Sequence, residues 1–372
     1  MKLSLARPDI TEAEINAVVE TLKSSVLSIG PKIQEFEKAV ATYTGRKHAV
    51  AVNSGTSGLH LIVRALGIKD GDEVITTPFS FVSSANCMLF ERAVPVFVDI
   101  DPKTLNIDVN QIEKAITPKT KAILPVHVFG QPADMRPILD LAEKYHLKVI
   151  EDSCEALGAE YKGQKAGAFG DAAVFAFYPN KQITTGEGGI IVTDDDEIAL
   201  LVQSMRSQGR AVTGLWLRHE RLGFNYRMDE LSATLGVVQM SRLNEILGNR
   251  ERVASLYNET LKDIEGVELP YISPDVKTSW FVYVVRFDRC YNRDRVMQRL
   301  IEEGVACRPY FTPIHLQPFY RTDYGYHEGM YPVTEDVGSR SLALPFHNHL
   351  TQEEVDYVAE IINKILREED RN

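Results

Sequence analysis

The chain has few cysteines, no long apolar run and no surplus of positive charge, and each shortage removes a class of protein. Its four cysteines, Cys87, Cys154, Cys290 and Cys307, show no metal-like pairing, which argues against a disulfide framework and a structural zinc site and suits a reducing compartment. No metal is therefore expected. No stretch approaches the apolar length that a bilayer crossing needs, so no membrane association is expected. Residues 1–8 are too short in apolar length for a signal peptide and run into a helical pattern, which predicts a cytoplasmic protein. The net charge of −11 disfavours a nucleic-acid partner, while leaving room for a local basic pocket. Internal repeats, low-complexity tracts and flexible linkers are also missing.

What is present is ordinary for a globular protein: 44% hydrophobic and 25% charged residues. At 372 residues the chain exceeds the size at which single cores stop growing, so two domains are expected. The first is a large α/β domain over residues 1–248, with a helical segment at its start. Short β-branched runs at 48–52, 73–76, 94–99, 122–128, 148–150, 172–177 and 190–193 alternate there with helical patterns such as 59–66, 109–115 and 135–145. Runs this apolar are covered on both faces, which predicts a mostly parallel sheet wrapped by helices. A helix near 231–247 leads to a smaller α+β domain over residues 249–372. It is expected to hold a long helix at 249–264, strands near 281–287, a helix at 293–303 and a closing helix at 352–366. The loop at 308–331 is longer than usual connections, and its aromatics Tyr310, Phe311, Phe319 and Tyr320 favour an ordered, functional segment.

Ligands of parallel sheets bind at the carboxyl ends of the strands, and three such ends carry suggestive residues. Asn53-Ser54-Gly55-Thr56-Ser57-Gly58 opens a helix with small residues, which suits a phosphate on exposed amides or, equally, a simple capping turn. The strand at 148–150 runs into Glu151 and Asp152; a carboxylate there can hold a protonated ring nitrogen, bind magnesium or cap a helix. Lys181 follows a buried run on a loop, where a desolvated amine can attack an aldehyde. Phosphate site, ring-nitrogen partner and aldehyde-binding amine together are the needs of pyridoxal 5′-phosphate. Residues 77–83 add aromatics that either cover a flat ring or belong to the core.

These segments, with Pro125-Val126-His127, Asn180-Lys181, Gly186-Glu187-Gly188-Gly189, Gly223-Phe224-Asn225-Tyr226-Arg227 and Arg308-Pro309-Tyr310-Phe311, resemble the DegT/DnrJ/EryC1/StrS sugar aminotransferases. The resemblance spans essentially the whole chain and implies a fold-type I enzyme dependent on pyridoxal phosphate. It implies that Lys181 forms the Schiff base and shuttles the proton, and that Asp152 holds the ring nitrogen. Phe81 would stack on the ring, Gly55, Thr56 and Ser57 would bind the phosphate, and Glu155 would lie near the ring hydroxyl. Asn225 would reach the phosphate in a neighbouring subunit, which implies a homodimer. Glu155 leans toward the perosamine-synthase-like branch. One departure is Ala176, where a serine that donates to the phosphate is common.

The resemblance further implies an amino transfer from L-glutamate to a nucleotide-linked keto sugar, with a 4-keto-6-deoxyhexose favoured, in amino-sugar and polysaccharide biosynthesis. Candidate substrate contacts are Tyr178, Asn180, Arg227, Arg308, Tyr310 and His315, of which Arg308 also suits a surface ion pair and His315 a satisfied loop histidine. Rival readings are a 3-keto-sugar or cyclitol aminotransferase, a dehydratase, or a non-catalytic regulatory member of the family. Retention of Lys181 favours transamination over dehydration.

Overall fold

Strands buried on both faces need helices on both sides, and that requirement organises the computed structural model, which describes residues 1–211 and 218–369. A seven-stranded sheet is built from β1 (His48–Val52), β2 (Glu73–Thr76), β3 (Val94–Phe97), β4 (Thr120–Ile123), β5 (Lys148–Asp152), β6 (Ala172–Ala176) and β7 (Gly189–Thr193). Their order is β1-β7-β6-β5-β4-β2-β3. Every pairing is parallel except the two made by β7, with β1 and with β6. The mostly parallel sheet expected from the apolar runs is present, with one reversed strand inside it.

The pleat sends alternate residues to opposite cores. Val50, Val52, Val174 and Ile191 pack with Leu59, Ile62 and Val63 of the helix Gly55–Ala65. On the other face, Ala49, Ala51, Phe175, Ile190 and Val192 pack with Phe36 and Val40 of the helix Pro31–Thr44. That second helix starts with Pro31 and is capped by Gly45, whose φ of 74° lies in the left-handed region that glycine enters without strain.

Several boundaries differ from the sequence reading for local reasons. β4 stops at Ile123 because Pro125 has no amide to give a ladder, and the chain turns through Val128–Gly130. The run expected at 94–99 pairs only to Phe97. The helix expected at 231–247 is two helices, Glu230–Ser241 and Leu243–Leu261, broken at Arg242. The guanidinium of Arg242 reaches Asp9 Oδ1 at 3.0 Å and Glu14 Oε1 at 2.8 Å. The expected division at residue 248 thus falls inside a continuous helix. The strand expected at 281–287 begins at Tyr283, which leaves Phe281 in the connection before it.

The C-terminal part has its own core. A three-stranded sheet of Val267–Glu268, Tyr283–Phe287 and Ser341–Leu344 packs through Tyr283, Val285 and Leu342 against Tyr257, Leu300 and Ile362. Leu3 joins this core from the other end of the chain, its amide 2.8 Å from the Gly304 carbonyl. The 308–331 segment is ordered by rings: Phe97 lies within 6.0 Å of Tyr320, Tyr326 and Tyr331. Among the described residues no helix is long and apolar enough to cross a membrane.

Candidate active site

The carboxyl ends of β1, β5 and β6 open into a cavity of about 730 Å³. Of the residues singled out in the sequence, Gly55, Thr56, Phe81, Asp152, Glu155, Tyr178, Asn180, Lys181, Arg308 and Tyr310 line it. Ser57, Asn225, Arg227 and His315 do not.

Strand alternation separates the two carboxylates that end β5. Asp152 lines the cavity, where its Oδ2 accepts the Ser84 hydroxyl at 2.6 Å and its Oδ1 accepts the Cys154 amide at 3.2 Å. Ser84 is held in turn by Ser80, 2.7 Å away. Glu151 is fully buried elsewhere and accepts the amides of Gly167, Phe169 and Gly170 at 2.7–2.8 Å. Burial pushes the Glu151 carboxyl up, but the His127 hydrogen bond and the backbone amides outweigh it and hold the group below the ordinary carboxylate value. His127 Nδ1 accepts the Ala133 amide at 3.1 Å, so its proton sits on Nε2 and points to Glu151, 3.0 Å away. Glu151 and His127 therefore build the loop behind the site.

Lys181 is placed by the chain between β6 and β7. Its Nζ lies 3.6 Å from Glu155 Oε1 and 3.7 Å from the centre of the Phe281 ring. The lysine side chain is 12% exposed and the glutamate 6%. Glu155 is fixed by the Phe129 amide, which donates to Oε2 at 2.9 Å, and burial pushes its carboxyl above the ordinary value, with Lys181 and that amide opposing. The buried amine and the buried carboxyl face each other at ion-pair distance inside the cavity. Tyr310 closes the wall; burial pushes its hydroxyl up to about 12, so it stays protonated at neutral pH and accepts Asn180 Nδ2 at 3.4 Å. Asn180 Oδ1 is buried with no hydrogen-bond partner among the described residues.

The helix Gly55–Ala65 presents its first amides to the cavity. Ser54 caps it, accepting the Ser57 amide at 3.1 Å, and the Ser57 hydroxyl donates to Asn53 Oδ1 at 2.7 Å. Ser57, expected at the phosphate, is thus committed to the cap. The Gly55 and Thr56 amides have no acceptor within the helix, as at every helix start. A Cβ on Gly55 would fall 2.8 Å from Ala176 Cβ and Cys154 Sγ, and one on Gly189 would fall 2.6 Å from the Ser54 carbonyl. Only glycines let strand and helix approach this closely.

Three further expectations land elsewhere. Asn225 is exposed; its carbonyl accepts Asn53 Nδ2 at 3.5 Å, and the Asn53 amide donates to the carbonyl of the next residue, Tyr226, at 2.8 Å. Arg227 donates to Gln208 Oε1 at 2.9 Å, outside the cavity. His315 is a correction to the substrate-contact expectation: the 308–331 segment folds onto Phe97 and buries it completely, with Nε2 2.9 Å from Glu335 Oε1. Sequence reasoning gave no site role to Ser80, Ser83, Ser84, Cys154 or Phe281, and named Phe311 only as part of a motif; all lie in the cavity wall. Phe281 was hidden inside an apolar run taken for a strand.

The donor set tests the cofactor that the sequence suggested. Helix amides and hydroxyls suit a phosphate, the Ser84-anchored Asp152 suits a protonated ring nitrogen, and Lys181 suits an aldehyde. The residues present fit pyridoxal 5′-phosphate.

The sequence profile of the DegT/DnrJ/EryC1/StrS aminotransferase family matches residues 8–363. The chain is 40% identical over 373 residues to the GDP-perosamine synthase of Caulobacter vibrioides, covering 98% of each. It is 39% identical over 378 residues to the spore coat polysaccharide biosynthesis protein SpsC of Bacillus subtilis, covering 98% of this chain and 97% of that one. Among solved structures, Spr1654 of Streptococcus pneumoniae in its PLP form matches with a TM-score of 0.95 at 30% identity, covering 99% of this chain and 100% of that one. The chain belongs to the DegT/DnrJ/EryC1/StrS aminotransferase family and is a pyridoxal-phosphate-dependent aminotransferase of fold type I.

Proposed function

We propose that this aminotransferase moves an amino group from L-glutamate to a keto sugar carried on a nucleotide, a 4-keto-6-deoxyhexose being favoured, in the making of an amino sugar for a polysaccharide. The observation that carries this reading is the Lys181 amine inside a large cavity with the Asp152 and Glu155 carboxylates. The sugar rests on similarity to a GDP-perosamine synthase and to a spore coat polysaccharide protein.

When bound, pyridoxal phosphate supplies an electron sink that stabilises negative charge on a substrate carbon. Asp152, anchored by Ser84, would keep a ring nitrogen protonated so that the sink is strong. Lys181 would hold the aldehyde end of the cofactor, and its amine, when free, would serve as the base that moves a proton. Glu155, 3.6 Å from that amine, would lie near the ring hydroxyl. The Gly55 and Thr56 amides would take the phosphate, and Phe81 would cover the ring. Phe81 and Tyr178 are 60% and 51% exposed, and Tyr178, Asn180, Arg308 and Tyr310, which line the cavity, would contact the nucleotide-linked sugar.

Asn225 and Arg227 fit this scheme as groups offered to the cavity of a second copy, which makes the working unit a homodimer. We assign residues 1–248 to the cofactor-binding part and 249–372 to the smaller part, and the enzyme to the cytoplasm.

The test is an absorption spectrum of the purified protein with pyridoxal phosphate, then with L-glutamate, then with candidate nucleotide keto sugars. Loss of the bound-cofactor band on adding glutamate, with one equivalent of 2-oxoglutarate, and its return with a 4-keto-6-deoxy sugar nucleotide supports the reading. A band unmoved by glutamate removes the donor, and return only with a 3-keto sugar removes the favoured substrate.

A further inference from the structure

The strand β6 ends at Ala176, which lines the cavity and offers no side-chain donor there. Across the helix start, the Ser83 hydroxyl lies 2.7 Å from Thr56 Oγ1, and both residues line the same cavity. We propose that Ser83 is a further residue holding the cofactor phosphate, acting with Thr56 as a hydroxyl pair. This rests on the reading of the helix start as the phosphate site.

Two hydroxyls in contact own two protons and need only one to join them. Whichever donates, the other proton stays free for an anion, and a hydroxyl that is itself accepting a hydrogen bond donates more strongly. The pair thus keeps one hydroxyl proton free and directed by its partner, beside an Ala176 that offers none. Its neighbour in sequence is already committed: Ser84 donates to Asp152 Oδ2 at 2.6 Å. Two consecutive serines would then serve opposite ends of one ligand, Ser83 the phosphate and Ser84 the carboxylate that meets the ring. Ser83 is only partly buried, so its hydroxyl can be removed without opening the core.

Equilibrium titration of full-length wild type and Ser83→Ala with pyridoxal phosphate and with pyridoxal, followed by absorbance, separates the roles. The expected result is a roughly tenfold loss of pyridoxal phosphate affinity in the variant, the scale of one hydrogen bond to a charged group, with pyridoxal binding unchanged. Unchanged affinity for pyridoxal phosphate, or an equal loss for both ligands, overturns the assignment. A wild type that binds both ligands equally would remove the phosphate-site reading itself, and the role of Ser83 with it.

Discussion

Glu151 and Asp152 are consecutive residues of β5 with separate tasks: the first accepts three backbone amides and the His127 ring, while the second meets Ser84 in the cavity. The pleat of one strand divides structure from chemistry between two carboxylates that sequence leaves side by side.

The two should fail differently. Asp152→Asn should fold as the wild type does and lose about 10²–10³-fold in transamination, the scale of removing a buried electrostatic partner. Glu151→Gln turns an amide nitrogen toward backbone donors and should cost about 2–4 kcal/mol of stability. Urea unfolding and product formation on both variants check this, and a stable, inactive Glu151→Gln would reverse the assignment.

Lys181→Ala should lower turnover by at least about 10³-fold while leaving the far-ultraviolet circular dichroism unchanged, because the side chain touches the Phe281 ring and Glu155 but anchors no element. Coupled assay of 2-oxoglutarate release would detect residual activity.

Gly189→Ala should weaken both fold and cofactor site. Its new Cβ would lie 2.6 Å from the Ser54 carbonyl and 2.7 Å from the Gly55 amide, forcing the helix start away from β7. A loss of about 1–3 kcal/mol is expected, as for other overpacked sites, together with weaker binding of pyridoxal phosphate. Gly45→Ala, where φ is 74° but no atom lies within 4 Å, should cost stability without touching cofactor affinity.

Acid should release the N-terminal helix through Glu14. Burial pushes this carboxyl up, but hydrogen bonds from Thr11, Arg242 and Gln239 outweigh it and bring the value down from 4.5 to about 2. A lowered value in the folded state means stability that is complete above about 4.5 and is lost as pH falls toward about 2. Glu14→Gln should therefore be less stable than wild type by about 2–3 kcal/mol at pH 7 and nearly equal to it near pH 2. Urea midpoints at pH 7, 4 and 2.5 would show the gap closing; a constant gap would mean that packing rather than charge is lost.

How much of this could be read from sequence depended on how local the cause was. The strands at 48–52 and 73–76 and the helices at 109–115 and 135–145 emerged with their expected bounds because periodicity and flanking turn residues determine them. Lys181, Asp152, Gly55 and Thr56 were legible because strand ends meet where a parallel sheet binds ligands. The break at Arg242 was not, and the partners of that side chain, Asp9 and Glu14, lie more than two hundred residues away in sequence. Phe281 and His315 were misjudged for the same reason: one leaves a strand pattern to reach Lys181, and the other is buried by a fold-back onto Phe97 that no local pattern announces.

The reversed strand has a dynamic consequence. Ala176 on β6 faces Gly189 on β7, so the chain bearing Lys181 leaves the sheet and re-enters it on the adjacent strand, about 5 Å away. The Phe177 amide donates to the Gly188 carbonyl at 2.9 Å and the Thr185 amide to the Phe177 carbonyl at 3.0 Å, stitching the neck of the loop shut. The amine is thus on a leash whose two ends, Phe177 and Gly188, are both buried and bonded to each other, so the freedom closest to it is rotation about its own four-carbon stem.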